Sequence, residues 1–322
     1  MGPMPEFIAD DYISITFNNN NLLCSYPTSK ATLLSPKKYI TPQIKFFIGK
    51  ITQQITAAMT LTVLTNHYDK ISFDELLGMK IQEIFPKSEL LSNTTASWKD
   101  EVTLYDLLTG HSKLPNYLKH CKDLDFINTV VDPQLIFNAL ERLEDDAKSS
   151  IKDALYSNYY ILAKLLEEFT HITYDELFKR TIKESLNLEN SYAPVNGDIS
   201  EFINKYEKFP IVNAHIETAN LVGNANIISS TEDLVNFYEY IFHASDKASK
   251  LIKNTFYHEE KDVLIYGEEH INTKHYAEET FFAGHHMKIY HFQHEENEQN
   301  YLVLLTFNNA HEMPMVEHSV FE

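Results

Sequence analysis

Two cysteines in 322 residues, Cys24 and Cys121, are too few for a disulfide framework, and their spacing matches no zinc-site pattern. They read as buried free thiols. Basic residues are the next shortage. Only 27 lysines and arginines stand against 46 acidic residues, leaving a formal charge of −19. Nucleic acid and anionic membrane surfaces need a broad basic face, so this balance argues against both as partners and suits a cationic or protein partner better. No apolar run approaches the ~18 residues of a membrane span, and no basic segment followed by an apolar core opens the chain. It reads as soluble, either cytoplasmic or exported with its signal removed. Residues Met1-Gly2-Pro3-Met4-Pro5-Glu6-Phe7 look like an appended leader, in front of which a natural export signal could have been cut away. Glycine is also scarce, with eight in all, which leaves few points where a ligand could approach bare backbone.

What is present is an ordinary globular composition, 43% hydrophobic, enough for one large domain or two smaller ones with a sizeable core. Tyr12–Phe17 and Leu22–Tyr26 are β-prone pieces separated by the turn-forming run Asn18 to Asn21, a hairpin signature. From Ile51 onward, Ile51, Ile55, Ala58, Met59, Thr62 and Val63 recur with helical spacing, which predicts a helix whose apolar stripe packs against a sheet. In the tail, Met287–Phe292 and Tyr301–Phe307 read as antiparallel strands joined by an acidic hairpin over His294–Asn300. The acidic runs Glu141–Asp146 and His258–Asp262 read as solvated faces. Histidines are numerous, notably His270, His275, His285, His286, His291 and His294. None has a carboxylate or cysteine partner at a recognisable ligand spacing, so no metal site and no cofactor are expected.

The ordered segments carry a resemblance. Phe46-Phe47-Ile48-Gly49-Lys50-Ile51-Thr52-Gln53-Gln54-Ile55-Thr56-Ala57 resembles the F-x-I-G-S-x-T-K-Q-x-T-A segment of the serine β-lactamase and penicillin-binding family, in its class C and esterase-like branch. Trp98–Pro115 resembles W-x-D-x-I-T-L-x-x-L-L-T-H-T-S-G-L-P, and Leu155–Leu162 resembles Y-S-N-x-G-Y-x-L-L with the chain shortened just after Asn158. Tyr174–Phe178 with Leu186–Asn190 resembles the helix that follows. Asn224–Phe237 resembles G-G-L-x-S-T-A-x-D-L-x-x-F, with Ser230 or Thr231 as a helix N-cap. The landmarks run in family order from about Ile44 to Asn308.

The resemblance implies an α/β (α+β) fold of the β-lactamase/transpeptidase type: an antiparallel sheet built from both chain ends and flanked by helices. It divides the chain into a sheet region, residues 8–64 with 215–322, and a mainly helical inserted region, residues 65–214. It also implies three elements lining one cleft. In the first, the family's nucleophilic serine and its lysine partner one helical turn on are replaced by Lys50 and Gln53. An amine forms no acyl-serine ester, and a glutamine amide is no base at neutral pH. In the second, a tyrosine-x-asparagine loop, Tyr156 and Asn158 are kept, either for proton shuttling and amide donation or, as we favour, because the loop needs their hydrogen bonds. In the third, a positive residue two before a glycine on an edge strand, Gly284-His285-His286-Met287 places His285 at the positive residue and Met287 at the glycine. The expectation is a non-hydrolytic relative that binds a small-molecule ligand or a protein partner. The alternative is a hydrolase or acyl-transfer enzyme of changed mechanism using Lys50, Tyr156 or His285. Lys50 at a helix N-terminus could serve as an amine nucleophile, although a flexible lysine reaching solvent or a carboxylate is the simpler reading.

Overall fold

The structure is a computed structural model that describes residues 45–126, 128–144, 151–194 and 217–257 with their side chains, apart from that of Phe46. It describes the strands at 12–18, 21–27, 258–260, 273–282, 285–294 and 300–307 by their backbones. The strands are β1 (Tyr12–Asn18), β2 (Asn21–Pro27), β3 (Phe46–Phe47), β4 (Ile228–Ser229), β5 (His258–Glu260), β6 (Thr273–Phe282), β7 (His285–His294) and β8 (Asn300–Phe307). The helices are α1 (Ile51–His67), α2 (Phe73–Gly78), α3 (Ile81–Ile84), α4 (Glu89–Ser92), α5 (Trp98–Glu101), α6 (Leu104–Thr109), α7 (Tyr117–His120), α8 (Pro133–Ala139), α9 (Ile151–Thr170), α10 (Tyr174–Phe178), α11 (Glu184–Leu186), α12 (Thr231–His243) and α13 (Lys247–Phe256).

Six strands form one sheet in the order β2-β1-β8-β7-β6-β5, antiparallel at every pairing described. The expected hairpin is there, with Asn18 opposite Asn21 and a register shift between Thr16 and Phe17. Pairing of β1 with β8, Tyr12 opposite Phe307, brings the two chain ends together. The acidic connection expected at His294–Asn300 lies outside the described residues between its two ends. A second, two-stranded sheet joins β3 to β4 through Phe46 opposite Ser229 and Phe47 opposite Ile228.

Local chemistry explains where the helices start. Thr103 opens α6 with a reciprocal capping box: its hydroxyl accepts from the Asp106 N–H at 3.1 Å while the Asp106 carboxylate accepts from the Thr103 N–H at 3.0 Å. Ser230 opens α12, accepting from the Asp233 N–H at 3.2 Å, and Asp246 opens α13, accepting from the Ser249 N–H at 2.9 Å. Pro133 sits in the first turn of α8 behind the cap Asp132. The 20 residues of α9 contain neither glycine nor proline, so nothing in the sequence interrupts it.

The stripe expected on α1 is broader than a stripe. Every residue from Ile51 to Leu61 is buried, and α1 packs against α9, α10 and α13. Its polar residues are satisfied inside the core. The Thr56 and Tyr174 hydroxyls are hydrogen-bonded at 2.7 Å, Thr56 donates to the Gly223 carbonyl at 2.8 Å, and Gln54 accepts from the Tyr257 hydroxyl at 2.6 Å. Trp98, Tyr117, Tyr159, Tyr160, Phe137 and Phe237 fill the core, with the Trp98 indole donating to the Phe137 carbonyl at 3.0 Å. Cys121 is a buried free thiol, as expected; the side chain of Cys24 is not described.

Candidate functional site

The β3–β4 pairing continues one residue further, with the Ile48 N–H donating to the Ile227 carbonyl at 3.2 Å. There the chain turns sharply. Gly49 takes a left-handed φ of 54°, which glycine adopts without a Cβ penalty, and Lys50 follows as the N-cap residue of α1. Lys50 is half-buried, and the first turn of α1 carries no acidic residue.

One turn on, Gln53 is fully buried, and its amide donates to the Asn224 side-chain oxygen at 3.2 Å. Asn224 in turn donates to the Tyr156 backbone carbonyl at 2.7 Å and to the Tyr117 hydroxyl at 3.3 Å. The Tyr117 hydroxyl donates to the Asn220 carbonyl. Asn220 then accepts from the Val131 N–H at 2.9 Å and donates to the carbonyls of Phe126 and Thr129 at 2.9 and 2.7 Å. Burial holds the Tyr117 phenol well above its usual range, so it stays a neutral donor. The position that the resemblance assigns to a catalytic lysine is therefore the first member of a buried amide network that ties α1, α7, α9 and the 220–224 turn together.

Tyr156 and Asn158 do not lie on a loop. They are inside α9, where residues two apart are separated by about 200° around the axis and cannot face one cleft. Asn158 is fully buried: it donates to the carbonyls of Asp106 and Leu107 at 3.2 and 2.9 Å and accepts from the Ser112 hydroxyl at 2.6 Å. These bonds clamp α6 to α9. Tyr156 is partly buried and contributes its backbone carbonyl to the Asn224 junction. Tyr159 and Tyr160 belong to the core: the Tyr159 hydroxyl donates to the Leu108 carbonyl at 2.8 Å, and Tyr160 stacks on Tyr117 with centroids 4.9 Å apart.

His285 opens β7 opposite Phe282 of β6, and Met287 lies opposite both Thr280 of β6 and Thr306 of β8. The strand expected at an edge thus has a neighbour on each side, and a substrate cannot add to it as a further strand. The side chains of His285 and Met287, like those of the other sheet histidines, are outside the description.

The architecture has counterparts among solved structures. A β-lactamase/D-alanine carboxypeptidase from Yersinia pestis, in a complex with citrate, covers 94% of this chain with 88% of its own length at 14% identity and a TM-score of 0.61. A class C β-lactamase covers 95% of the chain with 89% of its own length at 13% identity and a TM-score of 0.56. The chain has the fold of the serine β-lactamases and penicillin-binding proteins. No family model and no curated sequence matches it.

Within this β-lactamase fold Asn224 links Gln53 to the Tyr156 backbone, Lys50 lies one helical turn before Gln53, and Asn158 bonds to α6 instead. Among the described residues no group of three histidine, cysteine, aspartate or glutamate side chains is arranged to hold a metal ion. Sequence reading missed Asn224, Asn220, Tyr117 and Ser112. The available signal was Asn224-Ala225-Asn226, polar amides in a segment whose counterpart is glycine-rich.

Proposed function

We propose that the chain is a non-hydrolytic member of this fold, a binding protein in which the hydrolytic machinery has become structural. The observation that carries this is Gln53: fully buried and bonded to Asn224, at the position that the resemblance gives to the family's lysine. An amide has no proton-accepting capacity near neutrality. Lys50 replaces the nucleophile with an amine, and loss of the nucleophile alone costs on the order of a millionfold in a serine protease. Tyr156 and Asn158 on different faces of α9 support the same reading, because proton shuttling and amide donation would need both at one cleft. The candidate partner is a small-molecule ligand or a protein.

Intact-protein mass spectrometry tests this after incubation with a fluorophosphonate, a penicillin and a small activated ester. The wild type, Lys50→Ala and Tyr156→Phe are compared. No adduct is expected, with hydrolysis no faster than buffer. A stoichiometric adduct lost in one variant overturns the proposal and identifies an enzyme of changed mechanism.

A further inference from the structure

A cavity of about 1010 Å³ opens at the end of α1 remote from Lys50, walled by the last turn of α1, the 85–89 segment and the last turn of α9. Its volume is at the upper end of the range of small-molecule sites, about 300–1,000 Å³. Fourteen residues of helix at about 1.5 Å each put His67 roughly 20 Å along the axis from Gln53. It is a separate place in the fold.

One part of the lining is aromatic. Phe169 meets the His67 ring at 4.8 Å and the Phe85 ring at 5.3 Å, both edge-on, and His67 meets Tyr68 at 4.7 Å in the same manner. Such perpendicular contacts hold each ring in place and build a fixed apolar wall for a planar guest. The Tyr68 hydroxyl is committed to the Ile84 carbonyl at 2.7 Å, so the ring is an apolar surface here.

The polar part is rich in donors. Glu168 is an acid on the wall, but its two oxygens are occupied by the Ser88 hydroxyl and by the N–H groups of Glu89 and Leu90, the latter two at 2.6 and 3.1 Å. These bonds fix its position and occupy its oxygens while its charge remains. The rest of the polar lining comprises the exposed residues Lys87, His67, His171 and Asn66, with Glu89 as the exposed acid among them. Among the described residues neither Lys87 nor His171 has a hydrogen-bond or ion-pair partner. His171 is also strained, with a left-handed φ of 55° just beyond α9, where glycine or asparagine is the usual choice. Strain retained at a cavity rim points toward use. On a chain of net charge −19, Lys87 with the two histidines sets a local group of donors beside the aromatic wall, against the carboxylates of Glu89 and Glu168.

We infer that this cavity binds a planar aromatic carboxylic acid, its ring against Phe169 and His67, with the buried Phe85 backing them, and its carboxylate at Lys87 and His171. The inference stands apart from the reading of the Lys50 region and holds whether or not chemistry survives there. Isothermal titration with 2-naphthoate tests it, set beside the neutral 2-naphthylmethanol and the cationic (2-naphthylmethyl)trimethylammonium. Saturable one-to-one binding of 2-naphthoate is expected, with Kd below about 1 mM and at least about tenfold tighter than either comparison compound. Lys87→Glu and Phe169→Ala should each weaken it by about tenfold or more. His171→Gly should weaken binding while raising the thermal midpoint, a combination that damage to the fold cannot produce. The inference is overturned by absent saturation, by equal binding of the alcohol, by tighter binding of the ammonium compound, or by loss of binding in Lys50→Ala, which would move the ligand to the other end of α1.

Discussion

Lys50 and Gln53 stand where the resemblance puts the family's serine and lysine, and the proposal can be tested by placing those residues there. The double variant Lys50→Ser/Gln53→Lys should not be acylated by a penicillin. Its lysine would replace an amide that is buried and bonded to Asn224, and its serine would find Tyr156 and Asn158 directed apart. An unpaired ammonium in that position costs about 3 kcal/mol or more, so the thermal midpoint should fall by at least about 5 °C. A penicilloyl adduct on the double variant, seen by mass, would mean that the cleft geometry is intact after all. The replacements themselves were legible in the sequence. Their consequence was not, because Gln53 finds its partner 171 residues away, and no local pattern names Asn224 as that partner.

Asp233 gives a second prediction at this scale. It is buried in α12 beside Ser191, whose hydroxyl donates to its carboxylate at 2.6 Å, and burial outweighs that bond, raising its pKa above the usual carboxyl value. A carboxyl with a higher pKa folded than unfolded binds protons more tightly in the folded state. Its contribution is therefore greatest at low pH and declines as pH rises from about 4 through the folded value. In urea titrations, Asp233→Asn should compare best with wild type at pH 7 and worst near pH 4. A difference that is constant across this range would show that the carboxyl is not perturbed.

At the scale of elements, α9 explains why the second site motif departs from expectation. The resemblance implies a tyrosine-x-asparagine loop, yet Tyr156-Ser157-Asn158-Tyr159-Tyr160 lacks the glycine of the Y-S-N-x-G-Y pattern, and without that breaker the helix runs on. The absence of glycine from Leu155 to Leu162 is legible in the sequence and is itself a helix signal. The turn that closes on α9 retains its own. Gly223 has a φ of 80°, and a Cβ there would come within 2.5 Å of the Tyr159 carbonyl oxygen and 2.6 Å of the Ala163 side chain. Neither can yield without unpacking α9. Gly223→Ala should cost at least about 2 kcal/mol, read as a lower urea midpoint with an unchanged slope. An unaffected midpoint would mean that the turn and α9 are further apart than described.

For the whole molecule, residue pattern was enough to expect a first hairpin and antiparallel strands in the tail, and the resemblance implied that the two chain ends share one sheet. The order β2-β1-β8-β7-β6-β5 was not legible, since strand order depends on pairings between distant segments. The same limit hid the interior position of β7, which alternation cannot distinguish from an edge. Net charge acts at this scale too. With a formal charge of −19, like charges repel across the folded surface, and the described ion pairs between exposed groups, such as Lys119–Asp153 at 2.9 Å and Lys247–Asp74 at 2.7 Å, are each worth only about 0–1 kcal/mol. Raising sodium chloride from about 0.01 M to about 0.1 M shortens the screening length from about 30 Å to about 10 Å. This weakens long-range repulsion more than contact pairs. The thermal midpoint should therefore rise with salt, and it should rise at least as much in Lys87→Glu, which carries still more negative charge, because screening of the whole surface does not depend on an anion held in the aromatic cavity. A midpoint that falls with salt would mean that the ion pairs outweigh the net charge. A rise confined to the wild type would place the effect at Lys87.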